Sequence, residues 1–121
     1  MKRNAIGRLG EELAADFLRK NGFTVVETNY RCPEGEIDIV ARYKDLLVFV
    51  EVRTKTSRLF GSPEESVTRT KKRRMITTAQ HYLQSNYKEL PQWRIDFIAV
   101  ELDRNKKPLR IELIENAVGE A

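Results

Sequence analysis

The sequence predicts one α/β domain, a mixed central sheet of about five strands flanked by helices. Three observations predict it. Amphipathic and β-branched segments follow the order helix, three strands, helix, two strands, with no repeat, low-complexity tract or linker between them. A chain of 121 residues can bury one core without disulfide or metal staples. A hydrophobic fraction of 40% beside 33% charged residues describes a well-charged globular protein, not a disordered one. The domain is expected to span residues 1–115, with 116–121 as an uninformative tail.

Residues 5–20 are expected to form the first helix. Asn4 can cap it, and Ile6, Leu9, Leu13 and Phe17 recur at helical spacing as its apolar stripe, widened by Ala14 and Leu18. Asn21-Gly22 suits its end. Glu12 shares its side with Asp16 and Arg19 and should face solvent, whereas Glu11 lies at the edge of the stripe and can lean toward the sheet. A glutamate complementing the helix dipole would explain Glu11 equally well.

Residues 23–30 read as a strand and 31–35 as a turn. A hairpin comes next, from Gly35-Glu36-Ile37-Asp38-Ile39-Val40-Ala41 through Tyr43-Lys44-Asp45 into residues 46–55. A two-residue Lys44-Asp45 loop sets Ala41 opposite Val48, Ile39 opposite Val50 and Asp38 opposite Glu51. In the second arm Val48, Val50 and Val52 form one apolar face. Leu47, Phe49, Glu51, Arg53 and Lys55 form the other, apolar at one end and ionic at the other.

Thr56–Gly61 reads as a loop, and Ser62-Pro63-Glu64-Glu65 as a capping box that opens a short helical segment. A clear helix is expected from about Thr70 to Asn86, with Met75, Ile76, Ala79, Tyr82 and Leu83 buried. Residues 94–102 and 109–114 read as the last two strands, joined by a turn at 103–106. Asp96, inside an apolar strand, favours a structural role over a catalytic one.

Charge is unevenly placed. The net charge is +4, but residues 53–74 carry eight basic side chains (Arg53, Lys55, Arg58, Arg69, Lys71, Lys72, Arg73, Arg74) against Glu64 and Glu65. That footprint fits nucleic acid or, equally, a solvated helix face. Lys71, Lys72, Arg73 and Arg74 crowd the start of their helix, the wrong end for cations with respect to its dipole, which points to an anionic partner. Other chemistries lose ground. No apolar run approaches the roughly 20 residues of a membrane helix, and no secretory signal is visible. A lone Cys32 excludes an internal disulfide and suits a reducing cytoplasm, and a single His81 removes His-rich metal sites and a Ser-His-Asp triad. Cys32 reads as a passive turn cysteine and His81 as a surface or boundary residue. Trp93, Tyr82 and Tyr87 can stack on bases but are better explained by packing.

Like charges directly opposite on a sheet, with Cβ atoms about 5 Å apart, repel. A divalent cation between Asp38 and Glu51 would relieve that repulsion, with Glu11 and the Val52 carbonyl as further oxygen donors. Oxygen-only ligation suits Mg²⁺ or Mn²⁺. Arg53 and Lys55, on the side of Glu51, would meet a phosphate. The competing explanation is a cross-strand ion-pair ladder, in which Glu36 would sit opposite Arg53.

The stretches Gly7-Arg8-Leu9-Gly10-Glu11, Gly35-Glu36-Ile37-Asp38-Ile39-Val40-Ala41 and Phe49-Val50-Glu51-Val52-Arg53 resemble the small bacterial YraN family, also called UPF0102. So does Phe60-Gly61-Ser62-Pro63, continuing through the basic helix to Ala79 and Tyr82-Leu83. That family is similar to archaeal Holliday-junction resolvases and to the wider PD-(D/E)xK nucleases. The resemblance implies a restriction-endonuclease-like fold that cuts nucleic acid with Mg²⁺, and DNA, branched or otherwise structured, is the expected substrate. It matches Glu11 to the helix-borne acid, Asp38 to the first motif acid and Glu51 to the acid of the (D/E)xK element. Arg53 stands where the motif has lysine; Lys55 or Lys72 would have to substitute, because arginine stays protonated and can only orient or neutralise. The resemblance also allows a homodimer. Two alternatives stand beside a cytoplasmic endonuclease: a nucleic-acid-binding module with a degenerate site, and a subunit whose basic helix meets an acidic protein partner.

Overall fold

The computed structural model describes residues 4–59 and 61–117. Phe60, in one of the family-like stretches, and residues 118–121 of the expected tail lie outside them, as do residues 1–3. The elements are α1 (Ala5–Lys20), β1 (Thr24–Cys32), β2 (Gly35–Tyr43), β3 (Leu46–Lys55), a single 3₁₀ turn (Glu64–Ser66), α2 (Arg69–Asn86), β4 (Gln92–Leu102) and β5 (Pro108–Ile114). The strands lie in the order β1-β2-β3-β4-β5. All neighbours are antiparallel except β3 and β4, which run parallel and are connected through α2. The fold is therefore the expected mixed sheet with flanking helices, of restriction-endonuclease-like type. Among the described residues, no helix is long and apolar enough to cross a membrane.

The alternation of β3 builds two cores. Val48, Val50 and Val52 pack with Ala14 and Leu18 of α1, while Leu47 and Phe49 pack with Met75, Ala79, Tyr82 and Leu83 of α2. Phe49 is fully buried, with the Tyr82 ring 5.5 Å away and the Trp93 ring 5.9 Å away. Full burial of such a side chain contributes about 1.5–3 kcal/mol.

Both helices follow the expected periodicity with one shift each. In α1 the deepest face is Gly10, Ala14, Ala15 and Leu18, whereas Ile6, Leu9, Leu13 and Phe17 are only partly buried. The reason is close packing. An added Cβ on Gly10 would stand 2.9 Å from Thr54 Cβ and 3.0 Å from its Cγ2, and closer still to Oγ1. Small residues therefore face the sheet, and the large ones wedge in at the flanks. In α2 the buried face includes Thr78, and Ile76 is partly buried. The Thr78 hydroxyl donates to the Arg74 carbonyl at 2.7 Å, which lets a polar residue occupy that face. Asn4 caps α1 as expected, its Oδ1 accepting from the Gly7 N–H at 2.7 Å.

Before α2, Glu65 reaches back to the Ser62 N–H at 3.3 Å and accepts from its hydroxyl at 2.7 Å. Only one 3₁₀ turn results, because Val67 is extended and Thr68 caps α2 afresh. β1 runs on to Cys32, so the link to β2 tightens to Pro33-Glu34, with Cys32 paired to Gly35. Lys44 takes the left-handed conformation (φ 55°) that closes the β2–β3 turn. Asp96 is fully buried. It accepts from Arg94 Nε at 3.0 Å and from the Asn116 N–H at 2.8 Å, pinning the turn at the end of β5 to β4.

Candidate functional site

The site forms where the sheet parts. β2 and β3 pair in the expected register at Ala41↔Val48 and Ile39↔Val50, and the ladder then stops. Ile37 packs on the α2 side although Ile39, two residues on, packs on the α1 side. Regular alternation would put them on one face, so β2 changes course at Asp38. The Asp38 Oδ2 instead accepts the Val52 N–H at 2.8 Å, replacing the strand's main chain with a side chain. A residue's N–H and C=O point to the same neighbour in an antiparallel pair, so the Val52 carbonyl also faces this gap.

Asp38 is 7% exposed. Burial, and after it the adjacent Glu51 carboxylate, push its pKa up to about 8 from an ordinary 3.8, against the opposing pull of the Val52 N–H. The expected Asp38↔Glu51 register pair does not form, since the ladder ends at Ile39↔Val50, but the mutual influence of the two carboxyls is present. The expected Glu36–Arg53 pairing is not. Glu36 accepts from Arg31 at 2.9 Å, while Arg53 places Nη1 3.3 Å from Glu51 and donates from Nε to Ser66 Oγ at 2.9 Å. A cross-strand ladder cannot form because the strands have separated by that point.

A cleft of 690 Å³ opens over the gap. Asp38, Glu51, Val52, Arg53 and Lys55 line its floor; Glu11 reaches it from α1, and Lys71 and Arg74 from α2. All five residues expected to carry chemistry thus meet in one cavity, although α1 and α2 cover opposite faces of the sheet. Glu11 arrives because Gly10 beside it lets α1 lie against Thr54. Of the basic run, only Lys71 and Arg74, three apart on one helix face, line the cleft. Arg69 and Arg73 share another, exposed face, and Lys72 is half-buried to one side of it.

Arg58 is engaged elsewhere. It donates to both oxygens of Glu101, at 2.6 and 2.7 Å, and Arg110 also contacts Glu101. Arg110 further donates to Glu64 and Glu112, at 2.7 Å each. These two arginines hold the Glu101 carboxyl down to about 2. The network ties the segment between β3 and α2 to β4 and β5. Sequence reasoning missed Ser66, which anchors Arg53, and Gly10, which admits Glu11. Neither has a local pattern, since each acts on a residue of another element.

The donor chemistry fits a hard divalent cation. Asp38, Glu51, Glu11 and the Val52 carbonyl offer only oxygen, and two carboxyls crowd a spot where burial and Glu51 disfavour the charge on Asp38.

Comparison with known proteins places the chain among relatives. Residues 10–100 match the model of a family described as "Uncharacterised protein family UPF0102". A UPF0102 protein of Dehalococcoides mccartyi is 46% identical over 118 residues, covering 98% of this chain and 96% of that protein. One from Desulfitobacterium hafniense is 50% identical over 99 residues, 81% of this chain and 82% of its own length. One from Moorella thermoacetica is 44% identical over 117 residues, 97% and 98% of the two chains.

Proposed function

The chain belongs to the UPF0102 family, and within it we propose a cytoplasmic, metal-dependent endonuclease acting on DNA, with branched or otherwise structured DNA as the substrate class. The observation that carries the proposal is the Asp38–Glu51 carboxylate pair at the parted strands, in a cleft bordered by Lys71 and Arg74. Asp38, Glu51 and Glu11 would hold Mg²⁺ or Mn²⁺. Bound there, the cation would supply an activated water and neutralise charge on the phosphate under attack.

The chain's own groups have separable duties. The Val52 N–H fixes the Asp38 carboxyl, and Ser66 fixes Arg53. Arg53 in turn orients Glu51 and offers its charge to the phosphate, while Lys55 meets the same phosphate from one same-face step further along β3. Lys71 and Arg74 track the backbone, and Arg69, Lys72 and Arg73 extend the positive field. Arg58 contributes to that field only weakly, since Glu101 neutralises it. A homodimer would present two such clefts to a branched substrate.

Binding without cleavage is the second reading. It is favoured by Arg53, a permanently charged group held by Ser66 and Glu51 where the nuclease motif has lysine. Titrating Mg²⁺ or Mn²⁺ into the pure protein with linear, nicked and four-way-junction DNA separates the two. Metal-dependent cutting that is lost in both Asp38→Asn and Glu51→Gln supports the enzyme. Salt-sensitive binding with no cutting on any substrate supports the module, and cutting that survives both substitutions belongs to a contaminant.

A further inference from the structure

The fold gathers Cys32, Glu34 and His81, which the sequence gives no reason to connect. Cys32 ends β1, Glu34 sits in the two-residue turn to β2, and His81 lies in the middle of α2. The thiol sulfur, a Glu34 carboxylate oxygen and a His81 ring nitrogen all lie within 4.8 Å of one another, with His81 Nε2 3.8 Å from Glu34 Oε1. We propose that these three side chains form a binding site for Zn²⁺ or a metal of similar softness, at the wall of the cleft and distinct from its Asp38–Glu51 acids.

The donor set selects the ion. Thiolate, imidazole and one carboxylate suit zinc, whereas Mg²⁺ takes oxygen donors and would prefer the cleft. Tetrahedral zinc, with bonds of about 2.0–2.3 Å, places its donors roughly 3.3–3.6 Å apart, so the site needs to contract by at most about 1.5 Å. A fourth position stays open to solvent, through which the ion enters beside the exposed Glu34.

His81 is already aimed. Its Nδ1 lies 2.6 Å from the Tyr30 hydroxyl, which can accept the Nδ1 proton and so leave the Nε2 lone pair facing Glu34. Tyr30 is itself held edge-on against Tyr82, with ring centres 5.0 Å apart. The hairpin cannot drift far from the helix either, since Gly35 approaches Thr78, one turn before His81, so closely that an added Cβ would lie 2.9 Å from its hydroxyl.

On binding, the Cys32 thiol gives its proton to solvent and ligates as thiolate. The ion then ties the β1–β2 turn to α2. Arg31, Cys32 and Gly35 also line the cleft, so zinc would stiffen a cleft wall without touching the acids.

The test is titration of chelator-stripped, tag-free full-length protein with Co²⁺ and then Zn²⁺. One equivalent of Co²⁺ should give a thiolate-to-cobalt charge-transfer band and the visible bands of a four-coordinate site, both removed by one equivalent of Zn²⁺. Cys32→Ser should abolish the charge-transfer band, and His81→Ala should weaken binding at least 10-fold. Tyr30→Phe should weaken it about 10–100-fold while keeping the band, as expected of a positioning residue. The Asp38→Asn, Glu51→Gln double variant should bind as the parent does. Circular dichroism of each metal-free variant verifies folding. A folded parent protein without the charge-transfer band, or a band that survives Cys32→Ser, overturns the proposal.

Discussion

The Asp38 carboxyl stands in for a strand's main chain, its Oδ2 accepting the Val52 N–H at 2.8 Å just beyond the last β2–β3 pair, Ile39↔Val50. Its pKa is raised from 3.8 to about 8 in the folded protein, so the native state holds a proton that the unfolded chain has released between those values. The associated stability is complete below about pH 4 and is lost as pH rises through about 8. Asp38→Asn keeps an acceptor for Val52 and removes the titration. By calorimetry in metal-free buffer, the Tm of the variant should gain on that of the parent from pH 5 to pH 9. Mg²⁺ should raise the parent's Tm more at pH 9 than at pH 5, since it competes with that proton.

Gly10→Ala should cost about 1–3 kcal/mol in urea unfolding, because the new methyl must displace Thr54 or push α1 off the sheet. Adding Thr54→Ala should recover part of that loss but not all, since the Thr54 Cβ remains 2.9 Å away. The coupling would show as non-additivity in the double-mutant cycle.

Nucleic-acid affinity should depend on where a cation sits on α2 as well as on how many there are. Lys71→Ala with Arg74→Ala, facing the cleft, should lower the salt slope of DNA binding by about 2. Lys72→Ala with Arg73→Ala removes the same charge from outside the cleft and should change the slope by less than half as much. Fluorescence anisotropy across a salt series reads both.

Glu101 is a strongly depressed carboxyl, held at about 2 by Arg58 and Arg110. Its contribution is present above about pH 4.5 and is lost as pH falls toward 2. Glu101→Gln should therefore lower the Tm by several degrees at pH 7, and the gap should close in acid. The same substitution loosens the segment that carries Ser66, so Arg53 loses part of its support as well.

The elements were legible because each announces itself locally. The α1 boundaries, the β2–β3 register through Lys44-Asp45 and the two faces of β3 all derive from period and turn chemistry. The convergence of Glu11, Asp38, Glu51, Arg53 and Lys55 was legible as well, from the ionic end of β3, the place of Asp38 across the hairpin turn and that of Glu11 at the edge of the α1 stripe. The hidden contacts were the ones that depend on tertiary placement, whether near in sequence or far. Glu36 turned to Arg31, Arg58 was taken up by Glu101 across 43 residues of sequence, and His81 met Tyr30 across 51. Each depends on where the sheet parts or how α2 lies across it, and no window of sequence encodes that. The inverted emphasis in α1 has the same origin: Thr54, on another element, decides which side of the helix must be small.

The parting of β2 and β3 also means that the two central acids would respond differently to genetic drift. Asp38 works for the sheet as well as for the cleft, so a lineage that gave up all chemistry would still have to keep it or replace it with asparagine. The Glu51 carboxylate is instead met by side chains, the Arg53 guanidinium at 3.3 Å and the neighbouring Asp38 carboxyl. A library selected for folding alone should accordingly hold position 38 nearly fixed and let position 51 scatter, whereas selection for activity should freeze both.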